Sequence, residues 1–303
     1  MEIIFSLFFI ALGVLILLKG ANWLVSGASS IASLLRVEPI VIGLTVVAFG
    51  TSSPELVVSI ISAISGNTNI ALGSIIGSNI ANILLILGLS AVIYPIHVKK
   101  NTAWKEIPMS FLGGIILVVL ALRTLIDSGT LRTIPFSGNE IIGIITASNG
   151  IVLLSFFIIF LYYTFGIART NETTNLEIEK KSALLSTMLV LIGLGGLIIG
   201  SKLLVENGIS IARAIGVSDS FIGLTLVSIG TSLPELVTCL VAASRKKMDI
   251  AIGGIIGSNI FNIFFVLGTT SLIRPIPLPA LNLIDIFVLF ASTLLLFMFL
   301  FVM

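Results

Sequence analysis

Apolar residues in this chain come in long runs rather than in short stripes. The first, "EIIFSLFFIALGVLILLKG", is followed by eight more, and each is about as long as the ~20 residues needed to cross the hydrocarbon of a bilayer. Dividing the chain at proline, glycine and charge clusters predicts nine membrane spans, at 3–34, 40–64, 69–93, 104–123, 139–165, 183–213, 220–243, 249–273 and 283–303. The longest polar connection, "ARTNETTNLEIEKKS" at 168–182, separates a first half (1–165) from a second (183–303), with a linker over 166–182. The expected fold class is an all-α polytopic membrane protein.

Composition supports the bilayer. Of the 303 residues, 57% are hydrophobic and 10% charged, against about 25% charged in soluble domains. The N-terminus carries acidic Glu2, no basic leader region and no small-residue cleavage site, so it is expected to be a first membrane helix and not a removed signal. A net charge of +2 gives no reason to expect a nucleic-acid partner. The lone Cys239 excludes a disulfide framework. The single His97, in a basic loop, reads as a solvated histidine, because one imidazole cannot build a typical metal site.

Basic loop residues predict the orientation. With the N-terminus outside, the inside loops hold Arg36, Lys99, Lys100, Lys105, Arg169, Lys180, Lys181, Arg245, Lys246 and Lys247, ten in all, against Arg123, Arg132, Arg213 and Arg274 outside. A cell-membrane protein with its N-terminus outside is expected.

The dominant feature is an internal repeat. Shifted by 180 residues, the chain aligns with itself without a gap from Gly20 to Ile96. "IGLTVVAFGTSSPELV" (42–57) meets "IGLTLVSIGTSLPELV" (222–237), and "GSIIGSNIANI" (73–83) meets "GGIIGSNIFNI" (253–263). Five spans separate equivalent positions, and an odd number turns the second copy upside down. This is an inverted-topology repeat of five-helix units. Loop charge agrees: "SGNTN" (65–69) has no basic residue, and its mate "RKKMD" (245–249) has three. Such symmetry suits a carrier whose central site opens to each side in turn. The span at 139–165 has no mate, so nine spans are visible where the symmetry calls for ten.

The repeat centres carry the chemistry. Glu55 and its mate Glu235 are carboxylates in apolar spans, which is costly unless they face a cavity with a partner. No Lys or Arg lies within ten residues of Glu55 in its own span. Two acids brought together by pseudo-symmetry repel unless protons or cations neutralise them. Pro54 and Pro234 break their helices against the carbonyls of Gly50 and Gly230, and each glycine is expected to let the chain leave helical geometry. Unwound backbone there can offer carbonyls of Ala48, Gly50, Thr51, Ser228, Gly230 and Thr231, beside hydroxyls of Thr51, Ser52, Thr231 and Ser232. Ser78 with Asn82, and Ser258 with Asn262, lie four apart on one helix face. Gly73 and Gly77, with Gly253 and Gly257, form small-xxx-small rows expected to press this helix against the broken one. Every donor is an oxygen. That set suits Ca²⁺ or Na⁺ and argues against zinc or copper. Two negative charges balance one Ca²⁺ or two Na⁺, and a site that either species fills, but not both, gives exchange.

At these residues, "GTSSPE…GSNIAN" and "GTSLPE…GSNIFN", the chain resembles the cation/calcium exchanger superfamily, in its sodium/calcium exchanger branch of prokaryotic or archaeal type. The resemblance implies a ten-helix inverted-repeat fold, alternating access by sliding of the first and sixth helices, and several Na⁺ moved per Ca²⁺. It implies that Glu55 and Glu235, with the carbonyls of Thr51 and Thr231, bind Ca²⁺. It assigns the sodium sites to Ser52, Ser78, Ser232, Ser258, Asn82 and Asn262, with carbonyls of Ala48 and Ser228. Many relatives carry Asp where this chain has Asn262, which removes the expectation of potassium coupling. No cofactor is implied, and no oligomer is required.

The competing readings are an H⁺/Ca²⁺ antiporter using the same glutamates and a cation channel. An enzyme is disfavoured by the lack of H-E-x-x-H and G-x-S-x-G motifs. Glu55 and Glu235 could instead be structural buried acids, and Asn82 and Asn262 interhelical glue. Lys19, Asn22, Lys202 and Glu206 read as snorkelling or bridging residues, such as Lys202 with Glu206 one turn on. Trp23 and Trp104 read as interface anchors, and Ser59 and Cys239 have no assigned role.

Overall fold

A computed structural model of the chain describes residues 2–95, 100–127, 141–170, 181–216, 228–280 and 282–302. His97 and the first part of the predicted seventh span, 220–227, lie outside them, and Trp104 is placed only as backbone. The described chain is mostly helix, as hydrocarbon requires of backbone that has no water to satisfy it. In order the elements are α1 (Glu2–Leu35), α2 (Pro39–Thr51), α3 (Ser53–Ile64), α4 (Thr68–Ile93), α5 (Lys100–Asp127), β1 (Ile141–Ile145), α6 (Ala147–Thr170), α7 (Ala183–Ala214), α8 (Ser228–Thr231), α9 (Leu233–Ser244), α10 (Met248–Ile273), β2 (Ile276–Pro279) and α11 (Asn282–Val302). Among the described residues six helices are long and apolar enough to cross a membrane, and the bent pair α2–α3, taken as one broken span, makes a seventh. Shorter apolar helices, Ile107–Leu120 and α9, occupy the predicted fourth and seventh spans.

One prediction is corrected at the fifth span. Residues Ile141–Ile145 are not helix but a strand, antiparallel to Ile276–Pro279, with Ile145 opposite Ile276 and Ile144 opposite Pro277. A short apolar run such as "IIGII" has no period that separates strand from helix. Pro277 and Pro279, which cannot donate to a ladder, suit a two-stranded ribbon that is all edge. The helix proper begins at Ala147.

The chain divides into two compact units that cut across the sequence halves. The first comprises Met1–Pro54, Ile86–Ile96 and Thr164–Ile255, and the second Glu55–Leu85, His97–Tyr163 and Ile256–Met303.

The first unit is built on α1 against α7, which are repeat mates. Gly13, Gly20 and Gly27 recur every seven residues, two turns, on one stripe of α1. A Cβ at these positions would sit 2.9 Å from Gly200 O, 2.9 Å from Gly193 O and 2.7 Å from Ser186 O. Ascending numbers on α1 meet descending numbers on α7, so the mates run antiparallel, as inversion demands. The pairs 13–200 and 20–193 also exchange under the 180-residue shift. At one end of the seam, Lys181 Nζ donates to Ser26 Oγ at 2.7 Å and Ser186 Oγ to Ser30 Oγ at 2.8 Å. The bridge expected of Lys202 and Glu206 forms at 3.8 Å on an exposed face, where it contributes little.

The second unit places α6, the span without a mate, along α10. Phe156 stacks on Phe264 with centroids 5.7 Å apart, and Phe157 meets Phe261 and Phe265 at 5.6 and 5.1 Å. Phe264 is fully buried, whereas its repeat equivalent Leu84 on α4 is 53% exposed. The glycine rows diverge in the same way. Gly253, of the first unit, packs on Ile40 and Leu44 of α2. No described atom lies within 4 Å of a Cβ built on Gly73 or Gly77. For those two, the expected close packing is not met among the described residues.

The α1–α7 seam makes a testable prediction. Gly20→Leu or Gly193→Leu must push backbone from backbone and is expected to destabilise the fold by at least the roughly 1–3 kcal/mol typical of overpacking. Thermal unfolding in detergent, with Gly195→Leu as the control where a Cβ meets nothing within 4 Å, checks it.

Candidate functional site

The helix breaks lie where the prolines put them, but the glycines act differently from expectation. Pro54 cannot donate to Gly50 O, nor Pro234 to Gly230 O. The chain leaves helical geometry at Ser52 (φ −82°, ψ 4°) and at Ser232 (φ −88°, ψ 3°). The break bends α3 by 43° from α2. Gly50 and Gly230 are not the residues that turn: among the described glycines only Gly66 and Gly216 have positive φ. Instead they allow close approach, because a Cβ on Gly50 would collide with Leu194 and one on Gly230 with Val205, both side chains of α7.

In the first unit lie Ala48, Thr51, Ser52, Ser228, Thr231, Ser232 and Glu235. Ser52 Oγ donates to Glu235 Oε1 at 3.0 Å, joining a hydroxyl of the first repeat to the acid of the second. Ser52 is fully buried and Glu235 3% exposed. Ala48 is buried, and its carbonyl accepts from Ser52 N at 3.0 Å and from Thr51 Oγ1 at 3.4 Å. Thr51, Thr231 and Ser232 are buried, and Ser228 opens the turn α8.

The second unit holds Glu55, Ser78, Asn82, Ser258 and Asn262, all buried. Ser78 Oγ donates to Glu55 Oε1 at 3.3 Å. Asn82 and Asn262 begin or lie inside wide, π-helical turns, Asn82–Leu87 and Phe261–Val266. Such turns recur at functional sites. Asn82 Nδ2 donates to Asn259 Oδ1 at 2.9 Å, and Asn262 Nδ2 to Asn79 Oδ1 at 3.0 Å.

Two sets of residues escaped the sequence prediction. Asn79 and Asn259, fully or almost fully buried, stand at the third position of both "GSNIxN" blocks, and their identity at equivalent positions was the available signal. Thr238 lies one turn beyond Glu235, and its buried Oγ1 has no hydrogen-bond partner among the described residues. It lines a cavity of about 10 Å³ with Thr51, Glu235 and Cys239, about the room of one water. Cys239 accepts from Ser90 Oγ at 3.0 Å.

Hydroxyls, amides and one carboxylate each make up the two sets. Among the described residues, no three His, Cys, Asp or Glu side chains gather as a metal cluster. This is hard oxygen chemistry, suited to Na⁺ or Ca²⁺ and not to softer metals. Residues 5–166 and 185–303 match the family model described as sodium/calcium exchanger protein.

The chain belongs to the sodium/calcium exchanger protein family. The exchanger fold is supported by a solved structure of the sodium-calcium exchanger NCX_Mj, soaked with 10 mM Na⁺ and zero Ca²⁺. It superposes with a TM-score of 0.83 at 36% identity, covering 98% of this chain and 91% of that one. Among curated relatives, the putative antiporter CaxA of Alkalimonas amylolytica is 36% identical over 275 residues, 88% of this chain and 80% of the relative. The sodium/calcium exchanger MaX1 of Methanosarcina acetivorans is 32% identical over 298 residues, 90% of this chain and 84% of the relative. The chain is therefore a multi-pass transporter of the exchanger type and not an enzyme, with Ca²⁺ and Na⁺ as the ions the family moves and no cofactor.

The burial of Cys239 can be checked directly. At 2% exposure, its thiol is expected to resist a membrane-permeant maleimide in the folded protein and to label fully after SDS denaturation. Rapid labelling of the folded protein would contradict the packing of α9.

Proposed function

We propose that this chain is a secondary antiporter that exchanges Na⁺ for Ca²⁺ by alternating access, with several Na⁺ per Ca²⁺ competing for one oxygen-lined site at the membrane midplane. The observation that carries this reading is the doubled carboxylate–hydroxyl pairing, Ser52 on Glu235 and Ser78 on Glu55, in a chain of the exchanger family. What supports a single shared site is the repeat itself, which gives each half one acid behind a helix-breaking proline. Glu55 and Glu235, with the carbonyls of Thr51 and Thr231, bind Ca²⁺. Ser52, Ser232, Ser78, Ser258, Asn82 and Asn262, with the carbonyls of Ala48 and Ser228, complete the sites for Na⁺. Two negative charges are neutral with one Ca²⁺ or two Na⁺, and the empty site, doubly charged, is costly to occlude from water. Coupling follows: the carrier closes when loaded and stalls when empty.

The halves 1–165 and 183–303 act as inverted partners around that site, joined by the 166–182 linker. The chain resides in the cell membrane with its N-terminus outside and the linker inside, on the ten-against-four distribution of loop cations. Exchange needs no second copy of the chain.

In proteoliposomes, an outward Na⁺ gradient is expected to drive ⁴⁵Ca²⁺ uptake. Glu55→Gln or Glu235→Gln should lower it about 100-fold or more, since removing one buried charged ligand costs several kcal/mol at 1.4 kcal/mol per decade. Uptake driven by a pH gradient without Na⁺ would instead establish H⁺/Ca²⁺ antiport, and flux indifferent to any counter-ion would establish a channel.

A further inference from the structure

Four asparagines, two from each repeat, form a closed set in the second unit. Asn79 Nδ2 donates to the backbone carbonyl of Asn259 at 3.3 Å, and Asn259 Nδ2 donates to that of Asn79 at 3.4 Å. A carbonyl oxygen only accepts, so these two side-chain amides cannot be turned around. Their Oδ1 atoms must then face Asn82 and Asn262, and each of those can answer only with its NH₂ group, at 2.9 and 3.0 Å. The orientation of Asn82 and Asn262 is thus dictated from the backbone outward. One atom of each is left over: Asn82 Oδ1 and Asn262 Oδ1 are buried and accept no hydrogen bond among the described residues. Both residues are 1% exposed. An unsatisfied carbonyl oxygen at that depth is costly, and it occurs here twice, at equivalent positions, in side chains whose nitrogen end is tied to the neighbouring asparagine.

We infer that Asn79 and Asn259 are positioning residues that lock the side-chain oxygens of Asn82 and Asn262 toward a bound Na⁺. Asn82 follows Ser78 by one turn on the same helix face, and Ser78 holds Glu55, so the locked oxygen belongs on the face that carries the ion ligands. The lock is a crossed one: Asn79 of the first repeat sets Asn262 of the second, and Asn259 sets Asn82. It deepens the ligand assignment made under the proposed function and rests on it only in taking Na⁺ as the ion. It also states what an acid at position 262 would do. A carboxylate offers an oxygen to the ion whichever way it turns, but its second oxygen would face Asn79 Oδ1, acceptor against acceptor.

The test measures ²²Na⁺ binding to the purified full chain in detergent, which requires no Ca²⁺ transport. Asn79→Ala frees the Asn262 amide and is expected to weaken Na⁺ binding about tenfold, the low end for loss of a group that orients a metal ligand. In the Asn262→Asp background the same Asn79→Ala change is expected to cost nothing or to strengthen binding, because it removes the opposed acceptor. A merely structural asparagine would weaken binding in both backgrounds, and that result overturns the lock. So does Na⁺ affinity unchanged within twofold in Asn79→Ala, or a wild-type chain that binds no Na⁺. If wild-type protein binds Na⁺ with the expected sign reversal but drives no Na⁺-dependent Ca²⁺ uptake, the lock stands and the exchange reading fails.

Discussion

Charge and polarity inside hydrocarbon constrain this structure most. Each carboxylate, hydroxyl and amide at membrane depth must be engaged, because a bare one costs several kcal/mol. The chain answers much of that demand by clustering its polar groups on a few helix faces and making them serve each other, and leaves a few oxygens such as Asn82 Oδ1 and Asn262 Oδ1 over among the described residues. Ser52 donates to Glu235, Ser78 to Glu55, and four asparagines interlock. The apolar remainder of each helix is left to lipid or to its neighbours. Breaking α2 from α3 at Ser52, and α8 from α9 at Ser232, belongs to the same economy of polar groups. Pro54 and Pro234 withdraw a donor from the ladder at the turn that carries the acid.

In the first unit, glycine sets how near the backbones come. Along α1 and α7 it lets main chain approach main chain, with Leu17, Val190 and Leu203 filling in beside the contact points. At Gly50 and Gly230 it admits Leu194 and Val205, both from α7. One helix therefore touches both broken segments of its unit through glycine, and its antiparallel mate is held to it by the same device. Packing of this kind depends on close approach and not on propensity, as is common where helices associate without a hydrophobic driving force between them.

Much of this is legible in the sequence. Span positions follow from run length, and the opposite directions of α1 and α7 follow from the odd number of spans in the repeat. The residues of the two carboxylate–hydroxyl pairs were all named from "GTSxPE" and "GSNIxN". What was not legible depends on partners distant in sequence. "IIGII" reads equally well as the start of a helix until Ile276–Pro279 is seen beside it. Gly50 reads as a hinge until Leu194 is found against it. Gly73 and Gly253 are identical in type and register, yet only Gly253 packs closely among the described residues. Asn79 was passed over because its role is to hold another asparagine, which no spacing rule reveals.

Helix α6 gives the two copies different neighbours among the described residues. It lies on α10 and packs against Phe261 and Phe264, while their counterparts on α4 are the small Ala81 and the half-bare Leu84. At these positions of α10 a side chain must fit ring against ring. A residue copied there from α4 would leave that packing unfilled, so matching letters in the two copies is no guide to which residues can be exchanged between them.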